Sequence, residues 1–171
     1  MKRLIATVTS ILLLSVSAFA QEPLAFSETV AADSSSKKDL FTKAKMWFAE
    51  YYKNSKDVLH LQDAASGELL GKTIFKYTAN EYISYTIKIL VKYGKYKCEI
   101  YDFFHRCNDP SACLAEFCAL STDQEYPRMP ATMVKKWFNK EWAGAKAGAE
   151  QHSRKIMLSL KDAMTVKSKD W

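Results

Sequence analysis

The sequence predicts an α+β fold of two layers, in which two helices cover one face of an antiparallel sheet. Three observations lead to this prediction. Segments with the three- and four-residue apolar spacing of a helix lie on both sides of four consecutive segments that alternate apolar and polar residues. Only one side of each alternating segment is apolar, as in a sheet that is covered on a single face. A weaker strand pattern comes first, so the predicted order is β-α-β-β-β-β-α.

Residues 1–20 have the pattern of a signal peptide. Two basic residues precede a short apolar run at 4–16, and small residues in an A-x-A pattern end at Ala20. The apolar run is too short to span a bilayer. We therefore expect cleavage after Ala20, export to the periplasm or the cell exterior, and a mature single domain, residues 21–171, that does not span a membrane. The alternative is a membrane anchor that stays attached.

The charge of the chain is mildly basic. The 171 residues carry a formal net charge of +6, and the basic residues are spread along the chain without a continuous run. Because an exported protein seldom meets nucleic acid, we expect no nucleic-acid partner. An anionic glycan or a lipid headgroup is the more plausible polyanion, and an ordinary solvated surface is the alternative.

The first two predicted elements are a strand and a helix. Residues 23–30 place Leu24 and Phe26 at alternating positions, which indicates a strand. The polar residues 33–36 can supply a helix cap. The next segment ends near Asn54 and carries an apolar stripe at helical spacing, formed by Leu40, Ala44, Trp47, Phe48 and Tyr51.

The period of the pattern then changes from 3.6 to 2, which predicts four antiparallel strands. They are expected at 58–62, 68–77, 82–92 and 95–104, with turns at 63–67 and 93–94. The clearest alternation places five apolar side chains on one side, namely Ile83, Tyr85, Ile87, Ile89 and Val91.

An irregular segment at 105–130 holds three cysteines and leads into a long amphipathic helix at 131–164. Gly144 and Gly148 lie inside this helix, where glycine costs about 1 kcal/mol relative to alanine, so we expect close packing or a kink there. Gly71, before Lys72, predicts a bulge or a close backbone approach within a strand rather than a phosphate loop.

Several short motifs stand out within this order. They are a helix tryptophan, Trp47, a D-x-x-x-G turn from Asp63 to Gly67, a G-K step inside a strand at Gly71 and Lys72, and an aromatic-x-I-x-I hairpin at 85–88 that continues into K-x-G-K-Y at 92–96. Together with Phe26 and Tyr77, these features resemble a family of secreted bacterial domains of unknown function with a TBP-like fold. The resemblance covers residues 23–104. It implies the TBP-like fold and an export route, and it implies no catalytic residues.

Four cysteines in an exported chain predict disulfides. Of the three possible pairings we choose Cys107 with Cys113 and Cys98 with Cys118, which would tie the irregular segment to the last strand. The alternative is a metal site that uses His105, Cys107, Cys113 and Cys118, but these spacings lack the paired C-x-x-C turns of a structural zinc site. We therefore expect no metal.

No catalytic set is recognisable in the sequence. Neither H-E-x-x-H, G-x-S-x-G nor a pair of carboxylates at catalytic spacing occurs. A nucleophilic pair of Cys107 with His105 would need a free thiolate in an oxidising compartment. We accordingly expect a protein that is not an enzyme and needs no cofactor.

The uncovered face of the predicted sheet is the candidate binding surface. The side chains expected to project there are His60, Lys72, Thr86, Lys88, Glu99 and Tyr101. The leading hypothesis is an exported binding or structural accessory domain that contacts an unknown protein, peptide or glycan through this face. The alternative hypotheses are a carrier that holds an apolar small molecule between the sheet and the C-terminal helix, and an enzyme.

Overall fold

One layer of the protein is an antiparallel sheet, and the other consists of two long helices. The computed structural model describes residues 21–109, 111, 113, 115–128 and 134–165. The predicted signal peptide and the predicted helix start at 131–133 lie outside the described residues. The elements are β1 (Phe26–Ala31), α1 (Lys37–Tyr51), α2 (Ser55–Val58), β2 (Leu59–Asp63), β3 (Glu68–Lys76), β4 (Glu81–Lys92), β5 (Lys95–Cys107), β6 (Cys118–Ala119) and α3 (Lys135–Thr165).

The strands follow the order β1-β5-β4-β3-β2, and β6 pairs with the far end of β5. Strands β2 to β5 form the predicted meander, while β1 returns to pair with β5, with Phe26 opposite Ile100. These strands and helices confirm the predicted α+β class and element order. The short helix α2 and the two-residue strand β6 were not predicted.

Helix α1 is fixed at its start by a side-chain cap. The Ser36 hydroxyl accepts a hydrogen bond from the Asp39 N–H (3.1 Å) and donates one to the Asp39 carboxylate (2.7 Å). The predicted apolar stripe faces the sheet, because Leu40, Ala44, Trp47 and Phe48 are all buried. At the edge of this stripe the Trp47 indole N–H donates to the Ser159 hydroxyl (3.0 Å) and links α1 to α3.

Helix α3 lies against the same sheet face as α1. Its buried positions recur at three- and four-residue spacing, and they are Trp142, Ala145, Ala149, Ser153, Ile156, Leu160 and Met164. The predicted close packing at its two glycines is confirmed, because the Tyr77 ring lies directly on them. A Cβ added at Gly148 would lie 2.7 Å from that ring.

The two faces of the sheet differ in cover. On β4 the predicted apolar positions, from Ile83 to Val91, are all buried under the helices. We call this the inner face. The opposite side, which we call the outer face, has no helix over it among the described elements. None of the described helices has the length and apolar composition that crossing a bilayer requires.

A bulge on β5 was not predicted, and it changes which residues face inward. Ser84 pairs with Phe104 and Thr86 with Tyr101, so the single residue Tyr85 faces two residues of β5. Asp102, one of those two, has a φ of 55°. Before the bulge the buried positions of β5 are even-numbered (Tyr96, Cys98, Ile100), and after it they are odd-numbered (Phe103, His105).

The cysteines only partly follow the prediction. Cys107 and Cys113 form a disulfide as predicted. The predicted pairing of Cys98 with Cys118 is wrong, because both are free thiols. Cys98 lies on the inner face of β5, whereas Cys118 pairs opposite His105, seven residues further along the same strand. At about 3.3 Å per residue this separates the two by roughly 23 Å, far beyond the reach of a disulfide.

Thiol titration tests this assignment. In the denatured, unreduced protein we expect two free thiols, from Cys98 and Cys118, and after reduction all four. A Cys98→Ser, Cys118→Ser double variant should then show none before reduction. A wild-type protein with no free thiol, or with four, would contradict the assignment.

The close approach at Gly71 predicts a specific loss of stability. A Cβ at this position would lie 2.9 Å from the Phe48 ring and 3.2 Å from the Val58 carbonyl oxygen. Both neighbours are buried, so we expect Gly71→Ala to lower the free energy of unfolding by about 1–3 kcal/mol in a denaturant titration. The matched control is Lys72→Ala, the next residue on the exposed side, which should change it by less than about 0.5 kcal/mol. Equal effects of the two substitutions would show that the packing at Gly71 is not tight.

Candidate functional site

The outer face brings together most of the residues predicted to lie on it. Lys72 pairs with Thr86 across β3 and β4, and Thr86 pairs with Tyr101 across β4 and β5. One row further along, Lys88 pairs with Glu99. These five residues therefore occupy adjacent positions at the centre of the sheet. His60 is separated from them, because it lies exposed at an irregularity of the edge strand β2.

Several of these central groups are already engaged with neighbours. The Lys88 ammonium lies 2.8 Å from the Glu68 carboxylate, and this hydrogen-bonded carboxylate raises the pKa of Lys88. The Glu99 carboxylate lies 2.5 Å from the Lys97 ammonium. Thr86 is only 2 % exposed, since its hydroxyl donates to the Asp102 carboxylate (3.2 Å) at the bulge. Thr86 and Lys88 are thus less available to a ligand than their positions suggest.

Five other cations of the outer face have no ion-pair partner among the described residues, and four of them mark its two ends, while Lys72 lies at its centre. All are exposed, and they are Lys72, Lys76, Lys92, Lys95 and Arg106. At one end, Lys76 and Arg106 lie on either side of Tyr82 in a single row. At the other end, Lys92 pairs with Lys95 at the hairpin turn. Of these five cations, only Lys72 was among the residues predicted for the candidate binding surface.

The bulge explains why the Arg106 end was missed. A regular alternation along β5 without the bulge would place Arg106 on the inner face with Ile100. The predicted strand also ended at residue 104, before Arg106. The structure turns Arg106 outward, where its guanidinium lies 4.9 Å above the Phe104 ring. The sequence signal that could have revealed the bulge is the three-residue spacing from Ile100 to Phe103 within an otherwise alternating strand.

Apolar side chains separate the cations of the outer face. Ile74 is 60 % exposed, and Tyr82, Tyr101 and Phe104 are half-buried. Beside Tyr101, an open groove of about 360 Å³ runs between β1 and β5. It is lined by Ala25, Phe26, Ser27, Glu99, Ile100 and Tyr101. The face can therefore offer charge, flat aromatic surface and hydroxyl groups to one extended ligand.

His105 is fully buried and has a structural partner. Its Nδ1 accepts the Phe117 backbone N–H (3.3 Å), which leaves the proton of the neutral imidazole on Nε2. Nε2 has no hydrogen-bond partner among the described residues and lies 3.9 Å from the Glu81 carboxylate. Burial lowers the pKa of His105, so the neutral ring is favoured.

One cluster near His105 has the composition of a metal site. The carboxylate of Glu81 and the sulfur atoms of Cys107 and Cys113 lie within 4.8 Å of one another. The two sulfurs form a disulfide, which supplies no thiolate to a metal. His105 is also poorly arranged as a ligand, because Nε2 carries its proton while Nδ1 accepts a hydrogen bond. The cluster therefore has the arrangement of a loop that a disulfide links to the end of β5.

A second buried polar group lies between the sheet and the helices. The Tyr85 hydroxyl lies 3.1 Å from both the Tyr52 hydroxyl and Nε2 of His152. The His152 ring stacks on Phe75 with 3.9 Å between ring centroids. Burial, with a smaller contribution from Lys155, lowers the pKa of His152 to about 4. This neutral histidine ties α3 to the sheet, although the sequence had placed it among polar helix residues.

Side chains fill the space between the sheet and α3. The largest fully buried ones include Trp142, Phe103, Ile87, Ile156 and Leu160. A groove of about 550 Å³ between β1 and α3 is open to solvent, and Phe26 and Leu158 are among its lining residues. These contacts therefore lend no support to the carrier hypothesis, which needs an enclosed cavity between the sheet and α3.

Comparison with known proteins shows a family match over part of the chain and a shared fold. Residues 26–106 match the family described as "Domain of unknown function (DUF4468) with TBP-like fold". A DUF4468 family protein from Bacteroides ovatus superposes with a TM-score of 0.61 at 12 % identity, covering 87 % of this chain and 90 % of that one. A TBP-like protein from Parabacteroides distasonis gives a TM-score of 0.56 at 13 % identity, covering 81 % and 93 %. No curated protein matches the chain.

The burial of His152 predicts a pH-dependent stability. Its pKa of about 4 in the folded protein lies below the value of about 6.5 expected in the unfolded chain, so the unfolded state binds more protons between these values. The free energy of unfolding should therefore fall as the pH drops from 6.5 towards 4. The expected contribution is about 1–2 kcal/mol, discounted because the ring is partly exposed.

Chemical denaturation at a series of pH values measures this effect. His152→Gln should remove that part of the pH dependence, while the contribution of His105 remains in both proteins and cancels in the difference. Parallel pH profiles for the wild type and the variant would contradict a buried neutral His152.

Proposed function

We propose that this chain, whose residues 26–106 match the DUF4468 family of TBP-like domains, is an exported, non-enzymatic binding domain that uses its outer face. A ligand or partner contacts the outer face of the sheet, and the helical layer supports that face from behind. The single observation that carries this proposal is the asymmetry of the sheet. One face is covered by the helices, whereas the other keeps several aromatic rings and five cations that have no ion-pair partner in the described part of the chain.

The rigidity of the outer face supports a binding role. The face is built on three long strands rather than on loops, and the ion pairs Lys88–Glu68 and Lys97–Glu99 lie near its centre. Side chains on strands keep their relative positions better than side chains on loops do. A ligand therefore meets a preformed surface and spends little free energy on ordering it.

The arrangement of the chemically reactive side chains supports binding over catalysis. Cys107 is held in a disulfide with Cys113. Burial raises the pKa of the Cys98 thiol to about 12, so this sulfur is a poor nucleophile. His105 and His152 are held by partners within the core. Each of these groups has a structural role that accounts for its position.

Export is supported by two features of different kinds. The disulfide is of the kind that persists in oxidising compartments. The sequence of residues 1–20 has the order of charge, apolar run and small residues that secretion signals share. We place the domain in the periplasm or outside the cell on these grounds.

Affinity capture from a cell-envelope extract of the source organism tests the proposal. The immobilised wild-type protein should retain a component that a Lys72→Glu, Tyr101→Ala variant loses, because both side chains lie in the central row of the outer face. The matched control, Lys140→Glu with Met46→Ala, makes the same charge change and removes an exposed apolar side chain on the helical layer. It should retain the component.

Thermal unfolding must show that both double variants are folded. Retention that is unaffected by the outer-face variant, or lost equally in both variants, would refute binding through the outer face.

A further inference from the structure

The chemistry of the outer face indicates the class of ligand. Resting on the function proposed above, we infer that this face binds an acidic polysaccharide, a linear chain of sugar rings that carries carboxylate or sulfate groups. The chain would lie along the strands, from the Lys76–Arg106 end to the Lys92–Lys95 end.

The net positive charge of the outer face is complementary to an anionic ligand. The outer-face positions of β3, β4 and β5 carry seven basic side chains and three acidic ones, an excess of four positive charges. Glu68 and Glu99 are already paired with lysines, and Asp102 accepts the Thr86 hydroxyl. Among the described residues, the other five cations therefore have no ion-pair partner. A ligand that brings its own anions supplies the missing partners.

The cations of the outer face are spread over the length of the strands. Lys76 and Arg106 are two strands apart, which is about 10 Å at the usual strand separation. Lys92 lies ten residues further along β4 than Tyr82, or about 30–35 Å. Charges distributed over such a length favour a ligand with repeated anionic groups over a small molecule with a single one.

Aromatic rings and hydroxyl groups lie between the cations of the outer face. Tyr82 and Tyr101 present half-buried rings. Ser84, between them on the same face, donates its hydroxyl proton to the Phe104 carbonyl (3.4 Å), and its oxygen can still accept a hydrogen bond. Sugar rings carry C–H groups that pack on aromatic surfaces and hydroxyl groups that exchange hydrogen bonds with serine and tyrosine. The open groove of about 360 Å³ beside Tyr101 has room for a sugar ring at the edge of the face.

Two other macromolecular ligands fit this face less well. An acidic peptide that binds as an extra strand needs a free sheet edge, and among the described strands only Lys72 and Lys76 of the five cations lie on the part of β3 that β2 does not pair. Lys92, Lys95 and Arg106 lie on β4 and β5, away from that edge. An anionic membrane surface is best matched by protruding apolar side chains, and Ile74 is the one strongly exposed aliphatic residue among the described outer-face positions of β3 to β5.

The test is direct binding of defined polymers to the purified protein by isothermal titration calorimetry at physiological salt. Heparin is the sulfated probe, polygalacturonate the carboxylated one, and dextran the neutral control. Polyglutamate and phosphatidylglycerol vesicles represent the peptide and the membrane. We expect binding to the two acidic polysaccharides that weakens as salt is added, and none to dextran.

Charge-matched variants distinguish binding at the outer face from non-specific attraction of the polysaccharide to a basic protein. Lys76→Glu with Arg106→Glu should weaken polysaccharide binding about tenfold or more, whereas Lys140→Glu with Lys161→Glu on α3 should change it less than about twofold, although both lower the net charge equally. Tyr82→Leu, which keeps the charge, should also weaken it. All variants are checked for folding by thermal unfolding.

Three results would overturn the inference. They are no binding of either polysaccharide, equal weakening by the two charge-matched variants, and polyglutamate or vesicles binding as tightly with the same dependence on Arg106 and Lys76. If the inference fails while envelope capture still depends on the outer face, only the ligand class is wrong. If capture does not depend on that face either, the proposed function fails as well.

Discussion

The bulge at Asp102 is the constraint on which the two faces of this domain depend. It inserts one residue into β5, and the Thr86 hydroxyl holds its carboxylate from the neighbouring strand. The insertion turns Phe103 and His105 into the core and Arg106 out to solvent. Aspartate suits the position, because its short polar side chain tolerates a positive φ better than most residues do. A regular strand would have reversed these assignments and left a histidine on the surface and an arginine beneath the helices.

The helical layer can cover the inner face because small residues let it come close. Gly71 allows Phe48 to approach β3, and Gly148 accommodates the Tyr77 ring against α3. Hydrogen bonds then fix the layers, with Trp47 joining the two helices and Tyr85 joining the sheet to His152. Close packing on one side and an uncovered surface on the other are thus two consequences of the same one-sided sheet.

The order of elements could be predicted from the sequence, because period-2 and period-3.6 patterns report directly on which side chains are buried. The alternation from Ile83 to Val91 and the helical stripe around Trp47 are of this kind. The bulge at Asp102 breaks the period locally, and its trace in the sequence, the three-residue spacing from Ile100 to Phe103, covers few residues and was overlooked. The distance between Cys98 and Cys118 depends on strand register, which no local pattern encodes, so their pairing was predicted wrongly. Most residues predicted for the uncovered face do lie on it, but Arg106 lay beyond the predicted strand end, and Lys76, Lys92 and Lys95 were not among the predicted binding residues.

The sheet is packed on one face and open on the other, and the side chains of β5 change sides at Asp102. Hydroxyl-radical footprinting of the folded protein, read residue by residue by mass spectrometry, can detect this change at adjacent aromatic residues. We expect labelling of Tyr101 and Phe104 and protection of Phe103 and Tyr85. Labelling of Phe103 with protection of Phe104 would mean that β5 has no bulge and that the two faces are assigned wrongly.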